Sequence, residues 1–269
     1  MNMFGRQLAP ISEKAFSAIE EQARSTLREN LSARKFVDVK GPLGWEHASV
    51  SLGRLGKLEK DGPVGYGVRQ VIPLVEFRVN FTLDVMELHD IDRGASDPDL
   101  SPVEHAAIDA AAFEDGIVYR GFKKAGIAGM EGTKGNAPLT LSHTAPEEFL
   151  KNIQEAIQKM KTRDSISGPF ALVGGKRLND AMGKIFSCCS LFEIVESNTE
   201  VNELIFTPSF DGAFLVSKRG GDFELTLGGD FTVGYGGKDA KNNLTFFLTE
   251  SLAFRIHEPR TFVPLLISS

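Results

Sequence analysis

The chain has 269 residues, enough for one large domain or two ordinary ones. Hydrophobic residues make up 42% and charged residues 25%, a globular composition, and the net charge of -6 without a long Lys/Arg run excludes a basic surface for nucleic acid. No apolar stretch reaches membrane-spanning length, the N-terminus lacks a signal-peptide core, and two adjacent cysteines give no disulfide framework, so a cytoplasmic protein is expected.

Residues 10 to 31 are predicted as an amphipathic helix: Ser12 is placed to cap it, Ile11 to staple onto Phe16, and Phe16, Ile19, Ala23, Leu27 and Leu31 recur at helical spacing. Residues 35 to 39 alternate like a short strand, and GPLG at 41 to 44 is a turn. Residues 47 to 80 hold two extended runs around Asp61-Gly62-Pro63, the pattern of a long hairpin. Its tip is rich in glycine and charge, so it is expected to lie on something else, such as a neighbouring subunit.

From 101 to 122 the signals are those of a helix with Ser101 as cap, Pro102 at the first position, Glu104 completing a capping box and Gly121 at the C-terminal end. A further helix is expected over about 146 to 161, a buried strand at GPFALVGG (168 to 175), and a short helical stretch near 176 to 186. The remainder is mostly strands. This order of elements gives an α+β class rather than alternating βα units.

Chemistry-bearing motifs are sparse. The stretch from 217 to 237 holds seven glycines, but Gly220-Gly221 and Gly228-Gly229 lead into Asp222 and Asp230 instead of the Lys-Ser/Thr of a phosphate loop, and no helical pattern follows. Phe223, Leu225 and Leu227, then Phe231, Val233 and Tyr235, alternate, so the glycine pairs read as turns or bulges between antiparallel strands. Asp84, Glu87, Asp90, Asp92, Asp97 and Asp99 crowd near His89 without the register of a calcium loop or the ligand set of zinc. His47, His89, His105, His143 and His257 are scattered, and Cys188-Cys189 has no catalytic signature. No metal, cofactor or catalytic residue is expected, and the residues alone do not indicate an enzyme.

Several segments in order resemble the encapsulin shell proteins, the linocin-like family: LAPISEKAFSAIEEQA, ARKFVDVKGPLGWEHASVSLGR, FEDGIVYRGFKKAGIAGM, GPFALV, LVSKRGGDFELTLGGDFTVGYGG and LTESLAFRIHEP. The resemblance implies the tailed-bacteriophage capsid fold of the Hong Kong ninety-seven type and a self-assembling icosahedral nanocompartment in prokaryotic cytoplasm. It implies a peripheral domain (1–47, 81–134 and 223–257, with an N-terminal cargo-docking helix and a spine helix), an extended hairpin loop (48–80) and an axial domain (135–222 and 258–269). Its implied partners are further copies of the chain and a cargo protein, such as a ferritin-like protein or peroxidase, that docks through a terminal Gly/Leu/Ile-rich peptide. The matching docking positions are Leu27, Leu31, Arg34, Phe36 and Asp38 on one side and Phe231, Val233 and Tyr235 on the other. Arg34 and Asp38 stand out, because charged residues are rarely fully buried. Met86 takes the place of a Trp that stacks on flavin in some members, so no flavin is expected, and GKIFSCCSLFEI replaces the usual pore loop. A viral major capsid protein, which shares the fold, and a free enzyme are the alternatives.

Overall fold

A computed structural model describes residues 3–142, 144–186, 189–239 and 243–268; His143 and Cys188 lie outside the described residues. Helix α1 (Glu13–Asn30) starts where the Ser12 hydroxyl accepts the Ala15 N–H at 3.0 Å, and it buries Phe16, Ile19, Ala23 and Leu27 along one face. The chain then makes a 3-10 turn over Ala33–Lys35, so the strand expected at 35 to 39 is confined to β1 (Asp38–Lys40). Strands β2 (Ser49–Leu55), β3 (Glu59–Asp61), β4 (Val64–Tyr66) and β5 (Arg69–Pro73) form a hairpin arm, with β2 on β5, β3 on β4, and Gly62 at φ +57° in the tip.

Strand β6 (Val75–Leu83) leads through α2 (Val85–Arg93) to α3 (Ser101–Tyr119). Ser101 is not the cap expected of it: its N–H and hydroxyl donate to Asp99 at 3.0 and 2.6 Å, and Leu100 occupies the cap position, so Asp99 supplies the carboxylate at this helix start. At the other end Gly121, at φ +81°, turns the chain away. Next come α4 (Gly129–Gly132), β7 (Leu139–Ser142), α5 (Pro146–Asp164), the fully buried β8 (Phe170–Gly174) and α6 (Lys176–Met182). They are followed by β9 (Ile185–Phe186), β10 (Cys189–Ser190), α7 (Leu191–Asn198), β11 (Val201–Phe206), β12 (Ala213–Ser217), β13 (Phe223–Leu227), β14 (Thr232–Lys238), β15 (Leu244–Ile256) and β16 (Phe262–Ser268).

The first sheet is organised by β15. Strand β6 pairs along one side of it, and β13 and β14 pair in succession along the other, with Leu227 opposite Leu252 and Thr232 opposite Thr249. Gly228, Gly229, Asp230 and Phe231 therefore stand opposite only Glu250 and Ser251, which makes a wide bulge. This refines the reading of the glycines: Gly220-Gly221, both at positive φ, turn the chain between β12 and β13, whereas Gly228-Gly229 lie in the bulge. A Cβ on Gly229 would overlap the Trp45 ring, so glycine is required by close approach. Strand β1 adds in parallel to β13. Helices α1 and α3 pack on this sheet through Phe16, Ile19, Val103, Ala107, Val233 and Leu248.

The second sheet has the order β11-β8-β12-β16-β7, with α5 packed on it through Phe149, Ile153 and Ile157. Between the sheets, Ile117 to Tyr119 at the end of α3 join Phe223 and Leu225 of the first sheet to Val173 and Phe214 of the second. One boundary differs from the division drawn from the sequence. Residues 75 to 80 belong to the first sheet, not the arm, because β6 pairs with β15 along its whole length and Phe77, Val79 and Phe81 pack into the α1–α3 core.

Asp115 of α3 ties three elements together. Buried, it accepts the N–H groups of Ser32 (3.2 Å) and Ala33 (3.0 Å) and the Ser32 hydroxyl (2.5 Å), and it lies 3.5 and 3.4 Å from the hydroxyls of Thr207 and Ser209. Burial pushes its carboxyl from the ordinary 3.8 up to about 6, against the opposing pull of those hydrogen bonds. A raised folded pKa means that stability from this group is full below pH ~4 and is lost as pH rises through 6, by about 3 kcal/mol. Asp115→Asn loses hydrogen bonds at every pH but removes that slope. In urea unfolding, its deficit against the native chain is expected to shrink by about 2–3 kcal/mol between pH 4 and pH 7; a deficit constant with pH would show that Asp115 titrates normally.

Candidate functional site

Between α1 and the start of β14 lies a cleft of about 480 Å³. Ala23, Leu27 and Leu31 form its helical wall, and Phe231 and Val233 with Leu248 of β15 form its floor. Arg24, Arg28 and Lys35 stand at the rim with Glu20 and Asp230. The wall follows from helical spacing, since residues four apart share a face. The floor follows from strand register: Val233 stands opposite Leu248. The bulge before β14 displaces Asp230 and Phe231 toward the cleft mouth.

Five of the eight docking positions named from the sequence line this cleft: Leu27, Leu31, Arg34, Phe231 and Val233. Three lie elsewhere. Phe36 is buried, with its ring stacked on Tyr119 at 6.2 Å and edge-on to Phe223 at 5.6 Å, because the 3-10 turn directs it into the core between the sheets. Asp38 is spent on the Gly220-Gly221 turn, where it accepts the Gly221 N–H at 2.6 Å. Tyr235 lies past the cleft, packed on Phe246 at 5.6 Å, with its N–H donated to the Phe4 carbonyl at 2.7 Å. The sequence reading missed Ala23, Leu248, Asp230 and the rim cations. Ala23 was legible as the residue one turn before Leu27, whereas Leu248 required the pairing of β14 with β15.

Arg34 is half-buried and holds the site together. Its Nε and Nη2 donate to Glu114 at 2.9 and 2.7 Å, and Nη2 also reaches Glu250 at 2.6 Å and Asp230 at 3.0 Å. Glu114 and Glu250 are fully buried. The guanidinium carbon lies 5.3 Å from the centre of the Phe231 ring, within cation–π range. Burial alone would lower the Arg34 pKa, but the hydrogen bond to Glu114 and the charges of Glu114, Glu250 and Asp230 hold it above the ordinary value. Burial, reinforced by Glu114, pushes the Glu250 carboxyl well above the usual range despite Arg34. Glu250 Oε2 is buried with no hydrogen-bond partner, and a proton there would relieve two carboxylates competing for one cation.

The acidic run from 84 to 99 has structural employment. Asp84 accepts the Met86 N–H at 2.8 Å to start α2, Asp90 pairs with Arg93, Asp92 accepts the Ser12 hydroxyl, and Asp99 starts α3. Among the described residues no group of three or more His, Cys, Asp or Glu side chains is placed to hold a metal ion, and no helix is long and apolar enough to cross a membrane.

Removing Arg34 leaves two buried carboxylates without their cation. Arg34→Met is expected to destabilise the chain by ~3–5 kcal/mol in denaturant unfolding, and the triple variant with Glu114→Gln and Glu250→Gln to recover more than half of that loss. Equal losses in the single and triple variants would mean that Arg34 acts through packing alone.

The family model described as "Encapsulating protein for peroxidase" matches residues 1–253. The chain is 41% identical over 274 aligned residues to the type 1 encapsulin shell protein of Rhodospirillum rubrum, covering 98% of this chain and 96% of that one. It is 35% identical to the type 1 encapsulin shell protein of Rhodococcus erythropolis, covering 98% and 100%. Among solved structures it matches the virus-like particle from Pyrococcus furiosus with TM-score 0.67 at 20% identity, over 93% of this chain and 99% of that one. It matches the capsid of Myoviridae phage XM1 with TM-score 0.56 at 11% identity, over 88% and 92%. At those identities the structural likeness shows the fold alone, that of tailed-phage capsid proteins of the Hong Kong ninety-seven type. With a family model spanning residues 1–253 and relatives of 41% and 35% identity along nearly its whole length, the chain belongs to the encapsulin family.

Proposed function

We propose that this chain is the subunit of a closed icosahedral shell, without enzymatic activity of its own, and that the shell retains a cargo protein through the cleft between α1 and β14. The arm carries the assembly part of this reading. Leu55, Leu58, Val64, Tyr66, Val68 and Val71 are all exposed, at 45% to 74%, on the outer part of the hairpin. A solvated hairpin of this kind is marginal alone, and large exposed apolar side chains mark an interaction surface. Laid across a neighbouring subunit, they would be buried. The relatives' naming as shell proteins points the same way. A viral major capsid protein shares the fold, but 41% identity to a shell protein against 11% to a phage capsid favours the nanocompartment.

The cargo part rests on the cleft and on the family's description as encapsulating a peroxidase. A half-apolar, half-charged cleft of this size accommodates a short peptide and not a folded surface. One such peptide binds on the order of micromolar or weaker, but a multimeric cargo facing many identical clefts gains avidity, so weak sites suffice. A peroxidase or ferritin-like protein with a Gly/Leu/Ile-rich terminal peptide, in a cytoplasmic compartment, fits these requirements.

Two experiments test the reading. Size-exclusion chromatography with electron microscopy is expected to show closed particles of about 60 subunits or a multiple, and deleting residues 54 to 66 to leave folded, unassembled subunits. A stable monomer or dimer at micromolar concentration, or intact shells after the deletion, contradicts the assembly role of the arm. Leu27→Trp, which fills the cleft from its helical wall, is expected to lower co-purified native cargo at least tenfold while shells persist, whereas Asp38→Lys, away from the cleft, leaves loading unchanged. Undiminished loading in Leu27→Trp places docking elsewhere.

A further inference from the structure

The outer edge of the composite strand β13–β14 is covered from Glu224 to Gly228 and again at Tyr235. Strand β1 pairs with Glu224 to Thr226, the N–H groups of Leu43 and Gly44 donate to the carbonyls of Leu227 and Gly228 at 3.0 and 2.8 Å, and beyond the bulge the Phe4 carbonyl accepts the Tyr235 N–H. Between these covers, from Asp230 to Gly234, no backbone bond to another segment is found among the described residues apart from the ladder to β15. Locally, the Phe231 N–H goes to the Asp230 carboxylate.

Strand geometry says which groups are left. Tyr235 gives its N–H to Phe4, so the Tyr235–Phe246 pair does not exchange ladder bonds, and register is unbroken from Thr232 to Tyr235. Two residues earlier, Val233 stands in the same relation to Leu248, so its N–H and C=O point outward too. The open edge faces the cleft: Thr232 and Val233, whose side chains point to opposite faces, both line it, so the backbone itself borders the cavity. Helix α1 overhangs this gap with Ala23, Leu27 and Leu31.

We propose that the occupant of this cleft binds as an added β-strand: an extended segment of a partner protein pairs its main chain with the N–H and C=O of Val233 and turns alternate apolar side chains toward Leu27, Leu31 and Leu248. This rests on the cargo reading and specifies the partner's conformation. A main-chain carbonyl already seats on this edge, since that of Phe4 takes the neighbouring outward N–H. A helical segment, with its backbone groups satisfied internally, would leave the Val233 groups unpaired. Alternation of small and apolar residues is the matching sequence rule for the partner, because a strand turns every second side chain to the same face.

The test uses assembled shells and a fluorescein-labelled peptide, Gly-Leu-Gly-Ile-Gly-Leu-Gly, as probe. Val233→Pro removes the outward N–H without touching the ladder to β15, as proline is tolerated on an edge; Val233→Ala loses side-chain volume but keeps the N–H. Fluorescence polarisation is expected to show Val233→Pro binding the probe at least about tenfold more weakly than Val233→Ala, whose own loss measures the side chain's share of the floor. Hydrogen exchange by mass spectrometry on native shells, independent of any variant, is expected to slow in residues 230 to 235 when the probe is bound. Probe binding with unchanged exchange there, or with Val233→Pro equal to Val233→Ala, overturns strand addition and leaves the cleft as a docking site. No binding of the probe to native shells that do load native cargo overturns the alternation rule and with it this inference. Native cargo lost from Leu27→Trp but not from Val233→Pro shells likewise overturns it, while cargo retained in both overturns the cleft reading itself.

Discussion

Two fully buried carboxylates, Glu114 on α3 and Glu250 on β15, share one guanidinium, and that guanidinium comes from the turn that ends α1. Burying an acid without a counter-charge is costly, so wherever Glu114 and Glu250 sit, Arg34 must follow. Asp230, the third partner, stands in the bulge before β14. The four residues therefore fix the C-terminal end of α1 against the spine helix, the central strand and the bulge together. At the other end, Arg6 lies over the Phe16 ring and bridges Glu13 and Glu20. Held at both ends, α1 overhangs the sheet edge in the middle, where the small Ala23 leaves the cleft between its covers.

The chain leaves two surfaces unsatisfied, and their chemistry separates their roles. The arm exposes large apolar side chains in a broad, nearly solvated hairpin, which suits a wide contact with another folded surface. The cleft presents a narrow apolar wall, charged rims and unpaired main-chain groups, which suits a thin extended segment. The arm grows from the start of β6 in the first sheet, while the cleft lies across β15 from it, so loss of one leaves the other's framework intact.

Local features were the most legible in the sequence. The Ser12 cap, the apolar stripe of α1 and the hairpin turn at Gly62 depend on neighbours in the chain, and each is found in place. The capsid fold and the encapsulin family followed from the ordered run of matching segments and not from periodicity. Long-range features were not legible. Arg34 invited a surface role as a charged residue, but its partners stand at positions 114, 230 and 250, and no local pattern announces them. Phe36 and Asp38 alternate like a strand, yet a 3-10 turn sends the first inward and delays the strand to the second. Gly228-Gly229 read as a possible turn because a bulge within continued pairing has the same composition; only the register against β15 separates them.

Placement of the cleft in the assembled particle decides the account. Electron cryomicroscopy of purified particles, at a resolution that shows side chains, is predicted to find a closed shell with each α1–β14 cleft opening to the interior and the arm covered by the adjacent subunit. A shell whose clefts open outward, or lie sealed beneath a neighbouring arm, would contradict it.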